Sequence, residues 1–359
     1  MNGIGLEKQW SGRSVFLTGH TGFKGSWLAI WLARLGAHVH GYALAPQTSP
    51  SLFDLAGIQP ELASHHIADV RNANALREAL VAAQPEIVFH LAAQPLVRLS
   101  YQHPVTTWDT NVMGTVNLLE AIRTCSSVKS VVVVTTDKCY ENQESLWGYR
   151  ETDTLGGGDP YAASKAAAEL VVQSYRKSFL SKLGISIASA RAGNVIGGGD
   201  WSEDRLIPDM VRAVVAGKPL DVRNPGATRP WQHVLESLHG YLLLADRLLS
   251  RDVAAESAFN FGPEPGDNCS VEALLNAMKS VWPQARWQIQ VQAQVANLHE
   301  ANFLYLDSSK AQRLLGWRPC WRLERTLSET ARWYQEVLVE PANARRICEQ
   351  QIDSFSSEK

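Results

Sequence analysis

The sequence predicts an α/β fold: a doubly wound parallel sheet of the Rossmann type, with a smaller, mixed α/β C-terminal lobe after it. Three observations predict it. From Arg13 to about Ala190, short apolar runs alternate with stretches of helical periodicity, as parallel strands joined by crossover helices do. A glycine-spaced turn, Thr18-Gly19-His20-Thr21-Gly22-Phe23-Lys24-Gly25, links the first apolar run to the first helical stretch. After Gly193 the alternation loosens and helices come singly. The expected division is 1–193 for the sheet domain and 194–345 mainly for the lobe, with some chain crossing between them. Residues 346–359 are expected as a tail, polar and frayed from Ser354 on.

Strands are expected at Ser14 to Thr18, His38 to Tyr42, weakly at His66 to Ala68, then Ile87 to His90, Val131 to Thr135 and Ile185 to Arg191. Val131 to Val134 is β-branched without alternation, as in a strand covered on both faces. Gly25 to Leu35, Asn111 to Arg123 and the alanine-rich Ala162 to Phe179 carry apolar residues at helical spacing. In the lobe, helices are expected at Asp204 to Ala216, Val234 to Leu249, Ser270 to Val281, Ser308 to Leu315 and Leu323 to Leu338, with strands at Leu220 to Arg223 and Trp287 to Val291.

Composition excludes several functions. The 359 residues carry 34 Lys plus Arg against 36 Asp plus Glu, a net charge of -2, so binding nucleic acid or an anionic membrane through phosphates is not expected. No stretch approaches the roughly 20 apolar residues of a membrane span, and the start lacks the apolar segment of a secretory signal. A cytoplasmic location with reduced thiols is expected, since the five cysteines are scattered and form no C-x-x-C. His38 and His40 share a strand face without a third ligand, so no metal is expected.

The glycine turn is a candidate phosphate loop. Of Gly19, Gly22 and Gly25, one would make the tight turn, one would let the backbone approach a pyrophosphate, and one would let helix and strand pack closely. Thr21, Phe23 and Lys24 complete the loop, and the helix N-terminus would hold the anion. The acid that normally accepts the adenosine ribose hydroxyls is missing, because Ala37 to Thr48 contains no Asp or Glu. Lys24 and His40 could tolerate an extra phosphate there, so the loop alone does not choose NAD over NADP. Asp69 and Val70, after the weak third strand, touch adenine or cap the next helix. Leu91-Ala92-Ala93-Gln94 follows the fourth strand, at the carboxyl edge where such sheets bind ligands.

Tyr161 and Lys165, four apart on one helix, point from one face. A phenol is too weak a base at neutral pH unless nearby positive charge favours the phenolate. With it, Tyr161 could take a proton from a sugar hydroxyl, while Lys165 anchors a nicotinamide ribose. Thr135-Thr136, at the end of the fifth strand, supplies a hydroxyl that completes a triad. Asp137 and Lys138 follow, two ionisable groups of opposite sign beside the redox pair, which an elimination needs and a simple alcohol oxidation does not. Cys139 reads as a small filler.

These residues resemble the extended short-chain dehydrogenase/reductases (NAD-dependent epimerase/dehydratase family) and, within them, the CDP-glucose 4,6-dehydratases. The likeness runs through GHTGFKGSWL, EIVFHLAAQPLVRLSY, NVMGTVNLLEAIR, TTDKCYEN, WGYRE, DPYAASK, RAGNVIGGGDW, RPWQHVLE and SSKAQRLLGW. It implies a CDP-D-glucose substrate and a recycled NAD, with the C4 hydroxyl oxidised, water lost across C5 and C6, and hydride returned to C6. It also implies that Asp137 is the acid for the leaving hydroxyl, and that Asn111 belongs with Thr135, Tyr161 and Lys165 at the cofactor. Lys138 stands where dTDP-glucose dehydratases carry a glutamate base. A lysine is a base only once deprotonated, so Lys138 acts either as that base or as an enolate stabiliser. Asn194, Arg205 and Arg229 match positions facing the nucleotide sugar, and Glu300 and Asn302 stand where dTDP relatives place an arginine. A homodimer or dimer of dimers, built on the helices with Val112 to Arg123 and Tyr161 to Phe179, is implied as well. The competing readings are a nucleotide-sugar 4-epimerase and a non-catalytic, dinucleotide-sensing regulator.

Overall fold

A computed structural model describes residues 9–289 and 303–359. Seven parallel strands form the main sheet: β1 (Ser14–Thr18), β2 (His38–Ala43), β3 (Ser64–Ile67), β4 (Ile87–His90), β5 (Ser130–Val134), β6 (Ser186–Ala192) and β10 (Ala258–Phe261). Their order, β10-β6-β5-β4-β1-β2-β3, reverses between β1 and β4, and ligands of such sheets lie outside the strand ends at that point. The weak third strand exists, shifted two residues toward the N-terminus. β10 has no counterpart among the expected strands: Ala-Phe-Asn-Phe is short and falls in the stretch assigned to the lobe, yet it pairs parallel to β6.

Helix α1 (Phe23–Arg34) follows β1, α2 (Ala73–Ala83) follows β3, α3 (Gly114–Arg123) precedes β5, and α4 (Pro160–Tyr175) precedes β6. Asn72 caps α2 by accepting the Ala75 N–H, which corrects the expectation that Asp69 might do so. A turn of π-helix, Asp109–Met113, opens α3, and another, Arg176–Leu180, ends the α4 run. Both widen a helix that periodicity alone draws as continuous.

Beyond β6 the chain weaves. β7 (Asn194–Ile196), β9 (Thr228–His233) and β11 (Asn268–Ser270) form a three-stranded sheet, with β8 (Leu220–Val222) and β12 (Trp287–Ile289) as a separate parallel pair. Of the expected strand Trp287 to Val291, the last two residues lie outside the described residues, as do Glu300 and Asn302. Helices α5 (Leu206–Val215), α7 (Val271–Val281), α8 (Ser309–Leu315) and α9 (Leu323–Val339) belong to this part. Helix α6 (Val234–Leu249), read as part of the lobe, instead covers β5 and β6 of the main sheet and contacts α1.

The frayed tail is corrected. Residues Asn343–Ser357 form α10, because Ile347, Ile352 and Phe355 recur on one face and are buried. Phe355 packs edge-on against Trp31, His239 and Trp321. The Gly197-Gly198-Gly199 run is explained by close packing: a Cβ on Gly198 would fall 1.9 Å from the Trp333 ring.

Candidate active site

The glycine turn connects β1 to α1 as its spacing requires. Gly19 has φ +77°, and a Cβ there would fall 2.7 Å from the Ala92 nitrogen. A Cβ on Gly25 would fall 2.0 Å from the Gly19 carbonyl oxygen, whereas Gly22 is exposed and its nearest neighbour is 3.4 Å away. Gly19 and Gly25 are thus demanded by packing, and Gly22 leaves an open approach. No side chain caps α1 and its first turn holds no acid, so its N-terminus suits an anionic group. Thr21 donates to the Leu44 carbonyl and closes the turn onto the end of β2.

Lys24 does not serve an extra phosphate at the adenosine end. Its ammonium lies 3.4 Å from the Tyr241 hydroxyl, inside the reacting end of the cleft. Burial, then repulsion from Arg205 and Lys165, lowers its pKa to about 7 against the pull of Asp137 and Asp200. His40 is hydrogen-bonded to Ser64. Asp69 accepts from the Arg71 backbone and guanidinium, and those bonds hold its carboxyl below the usual range. Val70 is buried, and a Cβ on Gly114 would fall 2.8 Å from it.

The Leu91 to Gln94 segment emerges at the switch point. Leu91 and Ala92 donate backbone N–H groups to Thr18 Oγ1 at 3.1 and 3.2 Å. Asn111 accepts from Gln94 N–H at 2.9 Å and donates to the Gln94 carbonyl and Ser164 hydroxyl. Its amide therefore clamps this segment to α4.

Helix α4 begins at a Pro160 first turn capped by Asp159, which accepts the Ala162 N–H at 2.8 Å. Tyr161 and Lys165 are 8% and 7% exposed on its inward face. The Lys165 ammonium donates to the Val134 carbonyl at 3.2 Å. Burial lowers its pKa to about 8, opposed by Glu169. Burial raises the Tyr161 phenol to about 12, opposed first by a hydrogen bond with Thr136 and then by Arg205. In the chain by itself, these two partners rather than Lys165 oppose the rise. Of the two threonines, Thr136 is the one that meets Tyr161; the Thr135 hydroxyl turns away and donates to Glu169.

Thr136 caps a single 3₁₀ turn, Asp137–Cys139. Asp137 is 2% exposed. One of its carboxyl oxygens accepts from Thr136 at 3.0 Å, and the other is buried without a hydrogen-bond partner. Burial raises its pKa, opposed by Lys138, Thr136, Arg229 and Lys24. The shift is toward the protonated form, with Thr136 and Tyr161 alongside. Gly193 is needed here, since a Cβ would fall 2.9 Å from the Asp137 carboxyl and 2.5 Å from Pro230. Cys139 is buried, its thiol raised well above its ordinary value by burial.

From the lobe, Asn194 opens β7 opposite Trp231. Arg205 stands at the N-cap of α5, 3.9 Å from Asp200, and Arg229 is buried on β9 with a bond to the Thr228 carbonyl. The influence of Arg205 on Tyr161 and of Arg229 on Asp137 brings both to the reacting end. Sequence reading missed Tyr241, Asp200 and the buried Glu169 and Arg191. Only Glu169 left a signal, recurring four residues after Lys165 on the Tyr161 face.

The family model of GDP-mannose 4,6 dehydratase matches residues 16–330. A CDP-glucose 4,6-dehydratase of Salmonella typhimurium is 48% identical over 332 residues, covering 91% of each chain. A dTDP-glucose 4,6-dehydratase of Xanthomonas campestris is 26% identical over 265 residues, 70% of this chain and 73% of that one. Among solved structures, a dTDP-glucose 4,6-dehydratase of Streptomyces venezuelae with NAD bound superposes with a TM-score of 0.77 at 24% identity, covering 91% of this chain and 99% of that one. A UDP-glucose 4-epimerase of Thermotoga maritima gives 0.76 at 21%, covering 90% and 99%. With the family model spanning residues 16–330 and the Salmonella relative 48% identical over 91% of each chain, the chain belongs to the GDP-mannose 4,6 dehydratase family.

Proposed function

We propose that this chain removes water from CDP-D-glucose to give CDP-4-dehydro-6-deoxy-D-glucose, with NAD as a recycled cofactor. The observation that carries the reading is Asp137, a buried carboxyl raised toward its neutral form next to Thr136 and Tyr161. An epimerase needs no such acid, and a regulator needs neither Tyr161 nor Lys165. The nucleotide is assigned as CDP from the name of the Salmonella relative, a CDP-glucose 4,6-dehydratase.

The packing-enforced glycines and the uncapped start of α1 fit the pyrophosphate of NAD. We assign Gly19, Thr21, Gly22, Phe23, Lys24 and Gly25 to that grip, and Asp69, Val70, Leu91, Ala92, Ala93, Gln94, Asn111 and Thr135 to the surrounding wall. Bound NAD would supply a hydride acceptor and donor for the hexose, with no net change in its own oxidation state. Tyr161 accepts the C4 hydroxyl proton, helped by Thr136, and Lys165 anchors the nicotinamide ribose. Asp137 gives its proton to the departing C6 hydroxyl. The C5 proton must leave to form the enolate between C4 and C5: either Lys138 takes it as the base, or Lys138 supplies positive charge to the enolate while a second group accepts that proton. Asn194, Arg205 and Arg229 hold the nucleotide sugar, the arginines on the diphosphate.

Among the described residues no helix is long and apolar enough to cross a membrane, and we place the enzyme in the cytoplasm. A homodimer is proposed through α3, α4 and their π turns, where Met113, Leu170 and Phe179 are exposed and Arg123 lies over the Phe179 ring at 4.2 Å. The test of function is incubation with NAD and, separately, CDP-, dTDP-, UDP- and GDP-hexoses. Loss of one water from CDP-glucose, seen by mass, is expected. An epimer as sole product would overturn it.

A further inference from the structure

Behind the reacting groups lies a buried hydrogen-bond network that the proposed chemistry does not use. At its centre Glu169 of α4 meets Arg191 of β6 at 2.8 Å, each side chain 3% exposed. Glu169 also accepts from Thr135, at the end of β5, and from Ser189 on β6 at 2.6 Å. These donors satisfy its carboxylate and hold its pKa down, with Arg191, against burial. The other fork of Arg191 donates to the Tyr140 hydroxyl at 2.7 Å, and Tyr140 donates on to Asn260 of β10 at 2.7 Å. Tyr140 is the residue that ends the Asp137–Cys139 turn, and its ring stacks on Tyr149 at 5.2 Å.

The pair therefore touches both halves of the chemistry. Tyr161, Lys165 and Glu169 recur every four residues along one face of α4, while Arg191 reaches the elimination turn through a single hydroxyl. A buried ion pair is weak evidence for stability by itself, so its retention here calls for another explanation.

We propose that Glu169 and Arg191 are positioning residues shared by the two halves of the site: Glu169, one turn beyond Lys165 on the same face of α4, is the buried anion next to the ammonium that the Val134 carbonyl anchors, and Arg191, through Tyr140, holds the Asp137–Lys138 turn. Arg191 faces Glu151 and Lys310 besides Glu169, Cys139 and Tyr140. Lys165 faces Lys24 from α1, His90 from β4, Cys139 from the turn and Glu169 from its own helix. Glu169 faces Arg191, Cys139 and, from the following π turn, Arg176. Among these neighbours only Glu169 and the thiol of Cys139 favour the charged lysine, and the thiol is itself pushed toward its neutral form. Glu169 is thus the anion that matters.

The inference rests on the dehydratase reading for its kinetic half, but its first readout needs neither substrate nor cofactor. The Lys165 side-chain resonance, assigned by comparison with Lys165→Arg, is titrated in ¹³C-lysine-labelled chain. Glu169→Gln should lower its midpoint by at least about one unit, and the alkaline limb of the CDP-glucose rate profile should move down with it. Since Glu169→Gln leaves Arg191 buried and unpaired, the double variant Glu169→Gln, Arg191→Met supplies a folded control without the buried charge, and the same downward shift is expected. Tyr140→Phe should leave the Lys165 midpoint unchanged and slow elimination about tenfold, with C4 oxidation, followed by nicotinamide absorbance in a single turnover, unaffected. An unshifted Lys165 midpoint in both Glu169 variants, or equal slowing of the two steps by Tyr140→Phe, would overturn the proposal. A wild-type chain inert on CDP-glucose would sink only the functional reading, because the Lys165 titration stands without it.

Discussion

Tyr161 and Lys165 sit on a 16-residue helix with a proline in its first turn and an aspartate cap. Asp137 and Lys138, which follow β5 after Thr135 and Thr136, sit on a 3₁₀ turn of three residues. Helical periodicity alone sets the separation of the first pair. The second pair has a local cap in Thr136, but it is held in position by contacts from elsewhere: the bare face of Gly193 and the bond from Arg191 to Tyr140. The redox groups are therefore placed by local structure and the elimination groups by tertiary structure. Substitutions that leave α4 intact should separate the two steps, and perturbations around the turn should reach elimination first.

The largest effect belongs to the helix. Tyr161→Phe removes the phenol and keeps the ring, so turnover should fall about 10³-fold, with NAD binding still measurable by fluorescence titration. Retained turnover would remove Tyr161 as the proton acceptor. Asp137→Asn comes next. It keeps the Thr136 contact in shape but has no proton to give, so elimination should slow about 10²-fold while C4 oxidation changes little. Equal loss in both steps, read from single-turnover nicotinamide absorbance, would erase the distinction between the two pairs. Lys138 sharpens it further. If its role is charge, Lys138→Arg should keep most of the activity and Lys138→Met should lose about tenfold to a hundredfold. An inactive arginine variant would make the lysine a base instead.

The same contrast explains what was legible in the amino-acid order. β1, the glycine loop, α4 and the Tyr161-x-x-x-Lys165 spacing are local patterns, and each appears within a residue or two of its expected place. Thr136 and Asp137 could be placed at a strand end for the same reason. The misassigned parts are long-range. β10 is four residues whose identity as a sheet strand comes from β6, and α6 is an ordinary amphipathic helix whose pattern does not say which sheet it covers. Residues 346–359, polar from Ser354 on, read as a tail because the apolar face of their helix is narrow; Trp31, His239 and Trp321 together make the seat for Phe355. Arg191 lies in a strand of mostly small residues, Ser186–Ala192, and gives no hint of its partner on α4. The bonds from Arg71 to Asp69, two residues apart, are equally silent in the amino-acid order.

Lys24 joins the local part of the site to the tertiary part, and it gives the smallest effect. It stands in the phosphate loop, yet its ammonium is enclosed with Arg205, Lys165, Asp137 and Asp200. Burial lowers its pKa from 10.5 to about 7 in the folded chain. The unfolded chain therefore binds the extra proton between pH 7 and 10.5, and stability from this group rises with pH across that window. Below pH 7 both states carry the proton, and the penalty for enclosing the charge is fully present. Lys165, lowered to about 8, adds a slope of the same sign over a narrower range, so comparison with a variant is needed to isolate Lys24. Lys24→Met keeps the stem and removes the charge. It should raise the melting temperature of the cofactor-free chain by roughly 2–4 °C at pH 6 and change it little at pH 10, flattening the profile between. An anion at the loop favours the charged lysine, so binding NAD near pH 8 should take up protons in the wild type and fewer in Lys24→Met, measured by calorimetry in buffers of different ionisation enthalpy. Parallel melting profiles for the two proteins would show that the lysine keeps its charge at no cost to the fold, and would place its ammonium outside the enclosure formed by Arg205 and Lys165.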